Sequence, residues 1–218
     1  MDYGTMVGDS FAYGKDAIIG KWKQWLLLLV ATILLTIPLL GYSLKALRGE
    51  KPAPEVTGWG TLIIDGIKYF IVSLIWAIPC LIILFFGLGS LIAAIATQGM
   101  NPEVALAFIS GAVTYLILFL IVAIVTGLLA TIGIVRFART GSMGEAFNFG
   151  AIIETIGKIG WGSYIIALII IGIILAIIEV VCMAIPYVGQ FIFFLILPMI
   201  TLWHARYICL IYDSAGAT

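Results

Sequence analysis

Residues 104–135 read VALAFISGAVTYLILFLIVAIVTGLLATIGIV, which is 32 consecutive residues without one charged side chain. As an α-helix this stretch measures about 48 Å, whereas the hydrocarbon core of a bilayer is about 30 Å thick. The pattern therefore predicts a membrane-spanning helix that tilts or protrudes from the bilayer.

Three further apolar stretches are long enough to cross a bilayer, namely residues 69–97, 161–184 and 191–212. Turn-forming prolines join the four stretches in pairs. Pro102 lies in the turn between residues 69–97 and 104–135, and Pro186 lies in the turn between residues 161–184 and 191–212. We therefore predict an all-α, polytopic integral membrane protein with two transmembrane helical hairpins.

The composition excludes two large classes of protein. Hydrophobic residues make up 63% of the chain and charged residues 10%, against about 25% charged residues in an ordinary soluble domain. A soluble enzyme of 218 residues could not bury so many apolar side chains. The 11 basic residues are balanced by 11 acidic ones, and this argues against a nucleic-acid partner, because such binding needs excess positive charge.

Residues 25–44 form a fifth apolar run, which has two interpretations. The run is 20 residues long and carries Pro38 and Gly41 near its end. It could be one kinked span, or a shorter first hairpin that enters the membrane and returns on the same side. A re-entrant turn is tolerated at membrane depth where protein surrounds it.

A seven-residue motif occurs twice along the chain. Residues 8–14, GDSFAYG, match residues 144–150, GEAFNFG, and residues 60–66 share only the glycine spacing. Both full copies lead to a Gly-Lys pair, a tryptophan and an apolar run. We interpret the chain as a single membrane domain, residues 1–218, with three repeat-like units at about residues 8–51, 57–139 and 140–213.

The basic residues favour re-entry of residues 25–44. If this run re-enters, all 11 Lys and Arg residues lie on or near one membrane face, whereas Lys15, Lys21 and Lys23 change sides if it crosses. Loops on the cytoplasmic side collect Lys and Arg. Both arrangements predict a multi-pass protein of the cell membrane with its basic loops in the cytoplasm.

Residues 145–158 carry apolar side chains at i, i+3, i+4 and i+7, the spacing of one helix face. This pattern predicts an amphipathic helix on the cytoplasmic membrane surface. The predicted partners are the lipid bilayer and, through such helices, another membrane protein or a second copy of the chain. Candidate contacts are the apolar and basic side chains of this region: Phe149, Ile152, Ile153, Ile156, Lys158, Arg136 and Arg139.

Short motifs follow one another in a specific order along the chain: Met1-Asp2-Tyr3-Gly4, Gly41-Tyr42 with Lys45 and Arg48, Trp59 with Asp65-Gly66-Ile67-Lys68, and Arg139-Thr140-Gly141-Ser142 with Glu145-Ala146-Phe147-Asn148-Phe149. In this order they resemble the membrane family catalogued as domain of unknown function 4013. The resemblance covers nearly the whole chain and implies a protein of a mainly archaeal family. It implies no known activity and therefore no functional residues.

The sequence offers few residues for chemistry. His204 is the single histidine, and the three cysteines, Cys80, Cys182 and Cys209, lie singly in apolar runs, which is typical of packing residues. We therefore predict no catalytic residue, cofactor or metal. Glu179 is the candidate functional carboxylate, because charge inside a membrane is costly and often functional.

Three functions are compatible with these observations. The leading hypothesis is a non-enzymatic, membrane-organising or accessory component, because the chain combines surface helices with almost no buried polar chemistry. The alternative is a small transporter or channel that uses Glu179, because internal repeats are common in transporters. A membrane enzyme is the third candidate.

Overall fold

The computed structural model describes residues 1–99 and 102–216. Within these ranges every regular element is a helix, and the longer ones are numbered in chain order. They are α1 (Tyr3–Ile18), α2 (Trp22–Ile33), α3 (Ile37–Leu47), α4 (Trp59–Gln98), α5 (Pro102–Thr140), α6 (Phe149–Ile159), α7 (Trp161–Met183) and α8 (Gly189–Asp213), with a short 3-10 helix at Met143–Phe147.

Four helices, α4, α5, α7 and α8, are long and apolar enough to cross a membrane. In the described residues they match or contain the four predicted spans to within one residue, which confirms the prediction of an all-α polytopic membrane protein. α4 and α5 have 40 and 39 residues, or about 60 Å each, and so exceed the roughly 30 Å of a hydrocarbon core. Met100 and Asn101, in the turn predicted between them, lie outside the described residues.

The chain forms two compact units. The first contains Met1–Val72 and Thr131–Thr218, and the second contains Ser73–Ala130. In the second unit α4 and α5 contact each other through small residues: Cys80 Sγ lies 3.8 Å from Thr126 Oγ1. Most large apolar side chains of this unit are exposed, as expected of helices that face lipid. The three predicted repeat-like units remain a prediction.

Residues 25–44 form a hairpin of two short helices. α2 has 12 residues and α3 has 11, so they measure about 18 and 16 Å. Gln24 Nε2 donates to Tyr42 Oη at 3.1 Å, which places the start of α2 beside the middle of α3. The turn lies at Leu34–Thr36, whereas Pro38 occupies the first turn of α3, where its fixed φ and missing N–H are tolerated.

α8 is the central helix of the first unit and contacts α1, α3 and α7. Trp203 Nε1 donates to Ser10 Oγ of α1 at 3.0 Å. Tyr207 Oη donates to the carbonyl of Ala167 in α7 at 3.1 Å. These two bonds satisfy buried polar groups of large aromatic side chains. They also fix α1 and α7 against α8.

The helix predicted at residues 145–158 begins later than expected. Met143–Phe147 forms a 3-10 helix, and α6 begins at Phe149. The reason is local: the Asn148 side chain accepts a hydrogen bond from the Ala151 N–H at 3.3 Å and caps α6, a role that asparagine favours. Glu145 therefore precedes α6 and does not belong to its first turn.

The two copies of the seven-residue motif adopt different backbones. Residues 8–14 lie inside α1, whereas residues 144–150 extend over the 3-10 helix, the Asn148 cap and the start of α6. The matching sequence therefore does not produce matching local structure at these two places.

Candidate functional site

Glu179 lies on an exposed face of α7. No hydrogen bond or ion pair joins its carboxylate to another residue in the described part of the chain. Gln190, at the start of α8, is exposed as well. Within the described part of the first unit, Glu179 thus has no hydrogen-bonded or ion-paired partner.

The apolar face predicted on α6 divides into two parts. Phe149 and Ile153 are exposed, whereas Ile152 and Ile156 have no exposed surface. The role of surface contact predicted for Ile152 and Ile156 is therefore corrected: they pack inside the protein, because α6 lies against α7 and α8. Lys158 pairs with Glu154 at 2.8 Å on the exposed side.

Arg136 and Arg139, predicted to contact lipid or a partner, are held by carboxylates of the same chain. Arg136 pairs with Glu145, and Arg139 pairs with Asp213 at the end of α8. Arg139 Nε also donates to the carbonyl of Leu47 at 2.9 Å. Both guanidinium groups therefore join helix ends within the first unit.

A third arginine completes this set of contacts. Arg48, which follows α3, pairs with Asp65 of α4 at 2.8 Å. Its Nε donates to the carbonyl of Ala138 near the end of α5 at 3.1 Å. The last carbonyls of a helix have no partner inside it, and here Arg48 and Arg139 supply one to α5 and α3. The ends of α3, α5 and α8 and the start of α4 are joined in this way.

A partly buried cluster lies beside these ends, and we call it the arginine–thiol cluster: Tyr13, Arg139, Arg206, Cys209 and Asp213. The Cys209 sulfur lies 3.3 Å from Arg139 Nη2, 3.4 Å from Arg206 Nη1 and 3.5 Å from Asp213 Oδ2. Cys209 is fully buried, so the thiol donates to a carboxylate and accepts from two guanidinium groups. The Cys209 sulfur thus holds the guanidinium groups of Arg139 and Arg206 and the carboxylate of Asp213 close together.

The arginine–thiol cluster is not predicted by the sequence patterns. The apolar surroundings of Cys209 favour a packing role, and no pattern assigns a role to Arg206. One signal was present: Arg206, Cys209 and Asp213 are spaced i, i+3 and i+7, which places them on one face of a helix. The contribution of Tyr13 from α1 had no signal in the sequence.

Each unit also contains a cavity. In the first unit, a cavity of about 100 Å³ is lined by Ser43, Tyr69 and His204 among others. In the second unit, an almost wholly apolar cavity of about 470 Å³ lies between α4 and α5. Across the described ranges, no three His, Cys, Asp or Glu side chains are arranged to hold a metal ion.

A match to a protein-family model shows which family the chain belongs to. The family model described as protein of unknown function DUF4013 matches residues 25–187. The chain belongs to this family. The DUF4013 match contains Arg48, Arg136 and Arg139 but ends before Arg206 and Cys209. No curated protein and no solved structure matches the chain.

The pairing of Glu145 with Arg136 predicts a measurable pH dependence of the protein's stability. The Arg136 guanidinium that donates to its carboxylate, together with the Asn148 amide, holds the pKa of Glu145 below its usual value. Because its pKa is lower in the folded state, the Glu145 carboxylate stabilises the fold at pH values above its unfolded pKa, about 4.3. This stabilisation is lost as the pH falls through the folded pKa. We expect Glu145→Gln to flatten the decrease in thermal stability on acidification below about pH 5. Equal pH dependence in both proteins would contradict this role of the pair.

Proposed function

We propose that this protein is a non-enzymatic, membrane-organising component whose short α2–α3 hairpin inserts into one leaflet. The four long helices anchor the chain, and the hairpin adds volume to one side of the bilayer. The supporting observation is the exposed apolar tip of that hairpin.

The tip presents three large aliphatic side chains in succession. Ile33 is 68% exposed, Leu34 is 49% exposed and Leu35 is 84% exposed. Burying one such side chain stabilises by about 1.5–3 kcal/mol, so exposure of all three to water is unfavourable by several kcal/mol. Leu35 and Thr36 also adopt left-handed backbone conformations, with φ of 55° and 63°, which are uncommon for residues other than glycine. Contact with acyl chains removes the unfavourable exposure.

The length of the hairpin suits half of a bilayer. Helices of about 16–18 Å reach the middle of a hydrocarbon core about 30 Å thick but not its far side. At the base of the hairpin, Lys21, Trp22 and Lys23 are all exposed. Tryptophan is enriched at membrane interfaces, and lysine is attracted to anionic headgroups. These side chains support insertion from the headgroup region downward.

The proposed orientation follows from the basic helix ends. Arg48, Arg136 and Arg139 all belong to the first unit, and cytoplasmic segments carry an excess of Lys and Arg. We propose that the base of the hairpin and these helix ends face the cytoplasm of the cell. The partner in this function is the inner leaflet, and a second copy of the chain or another membrane protein would add to its effect.

The hairpin tip is tested by a double substitution, Leu34→Asp with Leu35→Asp. We expect the wild-type protein, reconstituted into phosphatidylglycerol–phosphatidylcholine vesicles, to reduce vesicle diameter as its density increases. The double variant should still insert through its four long helices but should lose most of this effect, because two carboxylates oppose entry into hydrocarbon. Cryo-electron microscopy of the vesicles measures diameter, and sucrose flotation measures insertion.

The matched control for this experiment is Tyr187→Asp. Tyr187 is also an exposed residue with a positive φ, 61°, and lies in the turn between α7 and α8. We expect Tyr187→Asp to change vesicle diameter as the wild type does. Equal diameters with wild type and with the tip variant, at equal protein density, would refute the proposal.

A further inference from the structure

Arg206 is a buried cation without a carboxylate partner. Arg206 is only 4% exposed, and among residues 1–99 and 102–216 no Asp or Glu forms an ion pair with it. Nη1 donates to the Cys209 sulfur, but Nε is buried and has no hydrogen-bond acceptor in the described structure. A buried charge in this state is strongly destabilising unless another group compensates it.

Asp213, the carboxylate of the arginine–thiol cluster, pairs with Arg139. Besides the larger effect of burial, the Glu50 carboxylate raises the pKa of Tyr13, but Glu50 is exposed and forms no ion pair with Arg206 in the described part of the chain. Arg139 and Arg206 both contact the Cys209 sulfur, but Asp213 pairs with Arg139 alone. Of the two cations in the arginine–thiol cluster, Arg206 is thus the one that an anion could still pair with.

Tyr13, whose ring faces Arg206, carries a second unsatisfied donor. The Arg206 guanidinium lies 5.6 Å from the centre of the Tyr13 ring, across the contact between α1 and α8. Tyr13 Oη is buried and lacks a hydrogen-bond partner within the described ranges. Burial raises the pKa of Tyr13 to about 12, so the phenol keeps its proton at neutral pH and can donate it.

We propose that Arg206 and Tyr13 bind the phosphate group of an anionic ligand at the contact between α1 and α8. Arginine matches phosphate well, because its N–H groups donate in a fixed planar arrangement. Arg206 lies seven residues before Asp213, the last residue of α8, or about 10 Å from that helix end. This depth suits a lipid headgroup, and a free phosphate ion offers the same chemistry. The proposal does not depend on the function of the α2–α3 hairpin.

The test measures thermal unfolding of the full chain by tryptophan fluorescence in a neutral maltoside detergent. The probes are inorganic phosphate, with chloride at equal ionic strength as its control, and dioleoylphosphatidylglycerol, with phosphate-free diolein as its control. A ligand that binds only the folded state raises the unfolding temperature, and the rise grows with the logarithm of the ligand concentration relative to its dissociation constant. A response to the lipid alone identifies a headgroup, and a response to both identifies the phosphate group itself as the ligand.

Two variants locate the site, and a third is the control. We expect Arg206→Gln to weaken the response by at least about tenfold in apparent affinity, and Tyr13→Phe by about fivefold. Arg48→Gln should keep the wild-type affinity, because the Arg48 guanidinium is already paired with Asp65. Without any probe, Arg206→Gln should be at least as stable as the wild type, since it removes an uncompensated buried charge.

The proposal would be overturned by an absent response to both probes in the wild type. It would also be overturned if Arg206→Gln and Tyr13→Phe responded as the wild type does. If Arg206→Gln fails to fold, Tyr13→Phe alone decides, because it removes one hydroxyl group and leaves the aromatic ring in place.

Discussion

Gly66→Ala is expected to destabilise the first unit by about 3 kcal/mol or more, because α3 and α4 touch through their backbones. A Cβ atom on Gly66 would lie 1.9 Å from the carbonyl oxygen of Ile37, and one on Gly41 would lie 1.9 Å from that of Leu62. Neither obstacle is a flexible side chain, so the two helices would have to separate. Thermal unfolding followed by tryptophan fluorescence measures the loss, and Gly41→Ala should act in the same direction.

Gly60→Ala is the control for this prediction. Gly60 belongs to the same helix, but a Cβ atom there would meet nothing within 4 Å. Alanine favours the helical state over glycine by up to about 1 kcal/mol, so this variant should unfold at the same temperature or higher. Equal unfolding temperatures for Gly60→Ala and Gly66→Ala would show that α3 and α4 are not in such close contact.

Arg139→Met is expected to cause the second large loss of stability, about 2–3 kcal/mol. Breaking a buried ion pair by removing one partner costs about 3–5 kcal/mol, and the value here is lower because Arg139 is 24% exposed and Asp213 is 29% exposed. The variant also removes the donor to the Leu47 carbonyl and to the Cys209 sulfur. Methionine keeps the aliphatic length of the side chain, so the loss reports on the polar contacts.

The double variant Arg139→Met with Asp213→Asn separates the ion pair from its surroundings. Because the two residues contact each other, we expect the double variant to lose less stability than the sum of the single variants. Lys158→Met is the control, since the exposed pair of Lys158 with Glu154 should contribute little. Strict additivity in the double variant would contradict the pairing.

Some parts of the fold were predictable from local sequence, and α7 is the clearest example. The apolar stretch at residues 161–184 predicts the observed α7, Trp161–Met183, nearly to the residue. Inside a bilayer a helix satisfies all of its backbone hydrogen bonds within itself. The length of an apolar run is therefore sufficient evidence for such a helix.

The polar ends of the long helices were not predictable in the same way. α4 begins at Trp59 and α5 continues to Thr140, beyond the apolar stretches that predicted them. Asp65 and Arg139 continue these helices because Arg48 and Asp213 compensate their charges. These partners are distant in the chain, so hydropathy alone ended the helices too early.

The candidate functional residues also differ in how far local sequence predicts them. The charge of Glu179 interrupts an apolar run and therefore indicates a functional residue, yet Glu179 is exposed and forms no ion pair in the described part of the chain. Arg206 and Tyr13 meet only because α1 packs on α8. Their separation in the sequence is large, and no local pattern records it.

The amino-acid sequence by itself determined that this protein is a helical, multi-pass membrane protein of its family. Long uncharged runs leave the chain no other stable arrangement in lipid. Tertiary structure alone decided that residues 25–44 form two short helices, and that Arg206 is buried beside Tyr13. Both results depend on contacts between distant segments, and the free energy of such contacts is not encoded in any single stretch of the chain.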